Sequence, residues 1–285
     1  MDLHNPSPMR SIAHVVNLAP DNEATRKSYL HVAQPVTARS MSAARDRVAE
    51  PIDVELLAVR HRTETGPLPA GFRELKPIAT YAWEHLPEIS DPAIRRNFIR
   101  LGDVLGAAHE ESDSEWLVYT NSDIGLQPHF YREIADRIRG GWDAFCINRQ
   151  DLPKAWRGQT LDANHLETIW QIPGFAHRGI DCFVFRRELV PKLDLGDVFI
   201  GAPPVGLVLM QQIRKHARNF GWIKTGRHTF HLGSDRAWRQ SMSSPYARAN
   251  LRAAQGRFEP QRLQLPLGVR LWRRLRRSIG LNPTA

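Results

Sequence analysis

The sequence predicts an α/β fold, a mixed and mostly parallel sheet flanked by helices, and three observations carry that reading. Short apolar runs of strand length alternate with amphipathic stretches of helix length. In "IDVELLAVRH" the alternation of Ile52, Val54 and Leu56 gives way to a continuous apolar run ending at Val59, as expected when both faces of a strand are covered. The chain has 285 residues, 42% hydrophobic and 24% charged, enough for a sizeable core in one large domain or two small ones.

Taken in order, Ile12 to Leu18 form a short buried strand ended by Pro20. Asp21 and Asn22 cap a helical region from about 23 to 50, with a break expected at Pro35. Residues 52–59 make the second strand, and 60–90, rich in Pro, Gly and Thr, a long loop. A helix is predicted over 91–111, with Asp91 as cap and Pro92 in its first turn. Strand "WLVYT" follows, then an Asn121-Ser122-Asp123 corner and a helix from Pro128 to Arg139, stopped by Gly140-Gly141. "DAFCIN" and "DCFVF" are strands, separated by an irregular stretch over 151–175. "RRELVPKL" is a short helix, "PPVGLVLMQQIRKHA" a longer one, and "FGWIKT" and "HTFHL" are short strands.

Two cysteines, Cys146 and Cys182, lie inside apolar runs and read as reduced core thiols, which fits a cytoplasmic setting. The N-terminus lacks the apolar core of a signal peptide, and no apolar run is long enough to span a bilayer. Net charge is +9, but the last 29 residues hold seven arginines against Glu259. The body is nearly balanced, which argues against a basic fold wrapped around nucleic acid. Leu267, Leu271, Leu275 and Ile279 stripe a basic amphipathic helix. Two readings stay open for it: adsorption on an anionic inner-membrane surface, or packing of the leucine stripe back on the domain.

In α/β sheets ligands bind beyond the carboxyl ends of strands. The Asn121-Ser122-Asp123 corner lies at such an end, as do Asn17, Arg60-His61 and Asn148-Arg149. No glycine-rich loop follows the first strand, and no P-loop, G-x-S-x-G or H-E-x-x-H pattern occurs. A diphosphate would then be held through a hard cation, with Asp123 as first ligand. His228, His231 and Asp235 are candidates for the second; His231 is favoured, since a strand turns 228 and 231 to opposite faces. The plainer alternative is that the corner is an Asx turn and His231 a satisfied, partly buried histidine.

"YTNSDIGL", "DAFCINRQDL", "HRGIDCFVFRREL" and "HTFHLGSDRAW" together resemble bacterial GT-A-type glycosyltransferases, the nucleotide-diphospho-sugar transferases, over residues 10–245. The resemblance implies a transferase domain over 1–250 and a basic tail over 251–285. It also implies sugar transfer from a nucleotide-diphosphate donor to a glycan or lipid-linked acceptor, assisted by Mn²⁺ or Mg²⁺. Asp123 then matches the last position of the family's D-x-D motif and ligates the metal with His231. Asn121, at its first position, carries no charge. Asp181 matches the base that deprotonates the acceptor hydroxyl, and His177 and Arg149 steady the departing diphosphate. Asn17, Asn121, Asp123, Asn148 and Arg149 form the donor site on this reading. Two other classes stand beside it: a non-catalytic sugar-nucleotide or glycan binder of the same fold, and a membrane or nucleic-acid binder acting through the tail.

Overall fold

The computed structural model describes residues 11–48, 52–153, 156, 162–232, 244–255 and 257. The basic helix expected over 267–279, and Asp235, lie outside them. Nine strands form one sheet: β1 Ser11–Asn17, β2 Asp53–Val59, β3 Phe72–Glu74, β4 Trp116–Thr120, β5 Ile124–Leu126, β6 Ala144–Asp151, β7 Phe175–Arg186, β8 Phe220–Ile223 and β9 Thr229–His231. The order is β3-β2-β1-β4-β7-β6-β9-β5, with β8 also paired to β6. The β3-β2-β1-β4 half is parallel; β7 then runs antiparallel between β4 and β6. The expected mostly parallel, mixed sheet is therefore present.

Alternation along the strands sorts the core into two layers. Ala13, Val15, Leu117 and Tyr119 face helices α3 (Leu101–Glu111) and α6 (Val205–His216). Ile12, Val16, Trp116 and Val118 face α2 (Leu30–Arg45) and α4 (Phe130–Arg139). On α2, Ala33, Val36, Thr37, Ser40, Met41 and Ala44 are buried at three- and four-residue spacing, which is one helix face. Three more α-helices occur among the described residues: α1 (Glu23–Arg26), α5 (Leu166–Gln171) and α7 (Pro245–Ala253). Among the described residues, no helix is long and apolar enough to cross a membrane. Both cysteines are buried free thiols.

Several elements depart from the sequence reading. The break between α1 and α2 falls at Lys27–Tyr29, not at Pro35, which sits in the second turn of α2 on its exposed side. So near a helix start the ring removes one hydrogen bond without ending the helix. The helix predicted over 91–111 begins only at Leu101. Asp91 does cap, through Ala93 N at 2.8 Å, but only the 3-10 turn Pro92–Ile94. Beyond it the 198–200 segment captures the backbone, with Leu101 N donating to Val198 O and Ile200 N to Ile99 O, each at 2.9 Å. The long loop contains β3, and the stretch read as irregular contains α5.

One core group sets a pH dependence. His14, fully buried on β1, lies 2.8 Å from Tyr131 Oη and 2.9 Å from Thr120 Oγ1. Burial pushes its pKa down to about 3, so the folded protein holds it neutral. The unfolded chain takes up that proton below its ordinary value of 6.5, so stability falls with acid at about 1.4 kcal/mol per pH unit. Denaturant titrations should show about 2 kcal/mol lost from this group between pH 6.5 and 5. In His14→Gln, proton uptake on unfolding should drop by about one; an unchanged slope contradicts the assignment.

Candidate functional site

The site grows from strand registers. Thr120 pairs with Cys182 across β4 and β7, so the next residues, Asn121 and Asp181, meet just past the carboxyl end of β4. Asn121 Nδ2 donates to Asp181 Oδ1 at 3.2 Å, while its carbonyl oxygen accepts from Tyr119 Oη at 3.3 Å. The corner then turns straight into β5, whose Ile124 pairs with His231 of β9, bringing Asp123 against that histidine. Leu232 N fixes the corner by donating to Asp123 O at 3.1 Å. On its other side β9 meets β6 through the pair Asp151↔His231.

A continuous polar network results. His231 Nε2 lies 3.1 Å from Asp123 Oδ2, and Nδ1 lies 3.1 Å from Asp151 Oδ1. Arg149 donates from Nε to Asp151 Oδ1 at 3.1 Å and from a terminal nitrogen to Asp181 Oδ2 at 3.0 Å. Three carboxylates thus share two cationic side chains in a nearly buried setting, where each charge depends on its partners. Burial alone would lower the His231 pKa, but the charge of Asp123 and hydrogen bonds donated to both acids carry it up to about 9. Burial likewise opposes ionisation of Asp151, yet the His231 hydrogen bond and Arg149 hold it well below the usual carboxylate range. Asp123 is also lowered, by His231, against the effect of burial. The stabilisation from His231 is full below pH 6.5 and is lost as pH rises toward 9, opposite in sign to His14.

The network brings together Asn121, Asp123, Arg149, Asp181 and His231. His177 lies beside it: its Nδ1 accepts from Gly179 N at 2.8 Å, and its charge bears on Asp151. A Cβ at Gly179 would sit 2.8 Å from His177 Nδ1 and 3.1 Å from Asp181 Oδ2, so a larger residue would displace these side chains. Two other residues stand apart. Asn17 Nδ2 donates to Leu18 O and Val59 O, tying the ends of β1 and β2. Asn148 Oδ1 accepts from Trp222 Nε1 at 2.7 Å. His228 lies outside β9, near His129, whereas His231 is the last residue of that strand.

Sequence reasoning missed Asp151. Ending its strand at Asn148 hid the alternation that sets Arg149 and Asp151 on one face. It also missed a cleft of about 590 Å³ at the ends of β1 and β2, walled by Leu18, Pro20, Arg39, Arg60, Glu64 and Gly71. Because β1 lies between β2 and β4, this cleft and the network open off neighbouring strands at one end of the sheet.

The donor chemistry suits a divalent cation. Asp123 and His231 meet 3.1 Å apart as a hydrogen-bonded ion pair, and a cation held by both would displace the proton from His231 Nε2. Asp151 backs the ring's other nitrogen, as outer carboxylates do behind metal-bound histidines. No group of three or more acidic, histidine or cysteine side chains with metal-binding geometry occurs among the described residues. A cation here would draw its remaining ligands from a bound diphosphate and water.

No protein-family model and no curated protein matches the chain. Among solved structures it is similar to glucosyl-3-phosphoglycerate synthase from Mycobacterium tuberculosis in complex with Mn²⁺, UDP-glucose and phosphoglyceric acid. That likeness has a TM-score of 0.48 at 14% identity, covering 87% of this chain and 79% of the other. It is also similar to S. aureus TarS 1–349 in complex with UDP-GlcNAc, with a TM-score of 0.45 at 12% identity, covering 78% of this chain and 58% of that one. Both likenesses are too distant to carry a residue's role, a metal or a substrate across to this chain.

Proposed function

We propose that the protein is a glycosyltransferase moving a sugar from a nucleotide-diphosphate donor to a hydroxyl of a glycan or lipid-linked acceptor. The observation that carries the reading is the meeting of Asp123 with His231 at a strand end, in one network with Asp181. The cleft over β1 and β2 takes the nucleoside, and the diphosphate extends from it toward Asp123. Asp123 and His231 would hold Mn²⁺ or Mg²⁺, which when bound would supply positive charge to the diphosphate. Asp151 keeps the His231 ring turned toward Asp123. Asp181 accepts the proton of the acceptor hydroxyl as its oxygen bonds to the anomeric carbon and the sugar–phosphate bond breaks. The electron pair of that bond leaves with the nucleoside diphosphate. Arg149, which bridges Asp151 and Asp181, stands where it steadies the departing charge.

A screen of nucleotide release tests this, with UDP-, GDP- and TDP-sugars offered with Mn²⁺ and a glycan panel. Release from one donor that depends on both metal and acceptor is expected. Tight nucleotide binding without turnover of any donor would favour the non-catalytic binder, the reading that the uncharged Asn121 supports.

A further inference from the structure

Among the described residues, two large apolar side chains are exposed, Ile94 at 38% and Phe175 at 65%. Single exposed apolar residues are ordinary; Phe175 is set apart by its register. It pairs with Asp151 across β6 and β7, and residues directly opposite in an antiparallel pair share a face. β4 pairs with β7 only over Cys182–Arg186, so the segment from Phe175 to Asp181 overhangs the end of β4, beside the Asn121–Asp123 corner. Two register shifts between β6 and β7 fall within that overhang, and contacts place its side chains: Phe175 stands opposite Asp151, and Arg149 joins Asp151 to Asp181. A Cβ at Gly179 would meet both His177 and Asp181, so these two side chains border one space.

We infer that this overhanging face is the acceptor track, and that the acceptor is a neutral saccharide chain with one ring stacked on Phe175 and a hydroxyl at Asp181. The inference rests on the transferase reading and names its acceptor class. An aromatic ring matches the apolar face of a sugar, and a carboxylate and an imidazole match its hydroxyls. The chemistry does not match a polyanion: Asp151 and Asp181 bring negative charge to this stretch, and Arg149 already bridges them. The β6 partners of Phe175 and Cys182 are Asp151 and Ile147, four residues and roughly 13 Å apart along the strand, so Phe175 and Asp181 are separated by more than one sugar ring. Phe175 therefore serves a ring beyond the one being glycosylated.

Saturation-transfer NMR on the full chain tests this, using neutral hexose oligomers of one to five units, α- and β-linked, and a matching hexuronate series. The wild type should bind a neutral oligomer of two or more units more tightly than the monosaccharide. Phe175→Ala should weaken that binding about tenfold and leave the monosaccharide unaffected, while Phe175→Trp keeps it. Equal binding of every oligomer by Phe175→Ala overturns the inference, as does preference for the hexuronates or binding of no saccharide. Mn²⁺-dependent UDP, GDP and TDP binding, measured on the same samples, judges the transferase reading separately. Saccharide binding without any nucleotide binding would remove that reading and leave the saccharide face standing.

Discussion

Asp123→Ala is expected to abolish Mn²⁺-dependent nucleotide binding and to lower sugar transfer roughly 10³-fold. The substitution removes the only carboxylate that the corner itself presents, and with it one of two proposed metal ligands. Its structural effect should be contained. His231 keeps Asp151 on Nδ1, and the corner is held by backbone bonds from Ile124 N to Asn121 O and from Leu232 N to Asp123 O. Calorimetry of nucleotide binding with and without Mn²⁺, beside a thermal unfolding curve, checks both halves. Undiminished metal-dependent binding in the variant would take Asp123 out of the metal site.

Asp181→Asn is the second large effect, and it should separate chemistry from binding. Transfer is expected to fall by roughly 10²- to 10⁴-fold, the usual range for loss of a general base. Donor binding should change little, because the amide keeps an oxygen to accept from Arg149 and the Asp123–His231 pair is not among the contacts of Asp181. Steady-state kinetics read this as a fall in kcat at nearly constant donor KM; a variant with wild-type kcat would exclude Asp181 as the base. The same contacts explain why an amide stands at 121. Its Nδ2 donates to Asp181 at 3.2 Å, whereas an aspartate there would set two carboxylates face to face. Asn121 thus orients the proposed base through its amide.

Much of the fold could be read from the sequence because local signals agreed with tertiary demand. Strand "WLVYT" and the α4 stop at Gly140 appear where periodicity and glycine put them. The misreadings arise where distant segments decide. Ile94 and Phe98 fit a helical stripe, yet pairing of 99–101 with 198–200 holds that backbone extended. Asp123 and His231 were readable as strand-end polar residues. Asp151 was not, because its role depends on a β6–β9 bridge between residues 80 positions apart. The cleft was likewise hidden, since its walls come from three separate stretches of chain.

The most direct test of the central claim is a crystal structure of the protein soaked with Mn²⁺ and the nucleotide that binds best. The account predicts an anomalous manganese peak bounded by Asp123 Oδ2 and His231 Nε2, with the diphosphate on its open side and the nucleoside in the β1–β2 cleft. Ordered nucleotide bound elsewhere, with the Asp123–His231 hydrogen bond intact and no manganese between them, would contradict it.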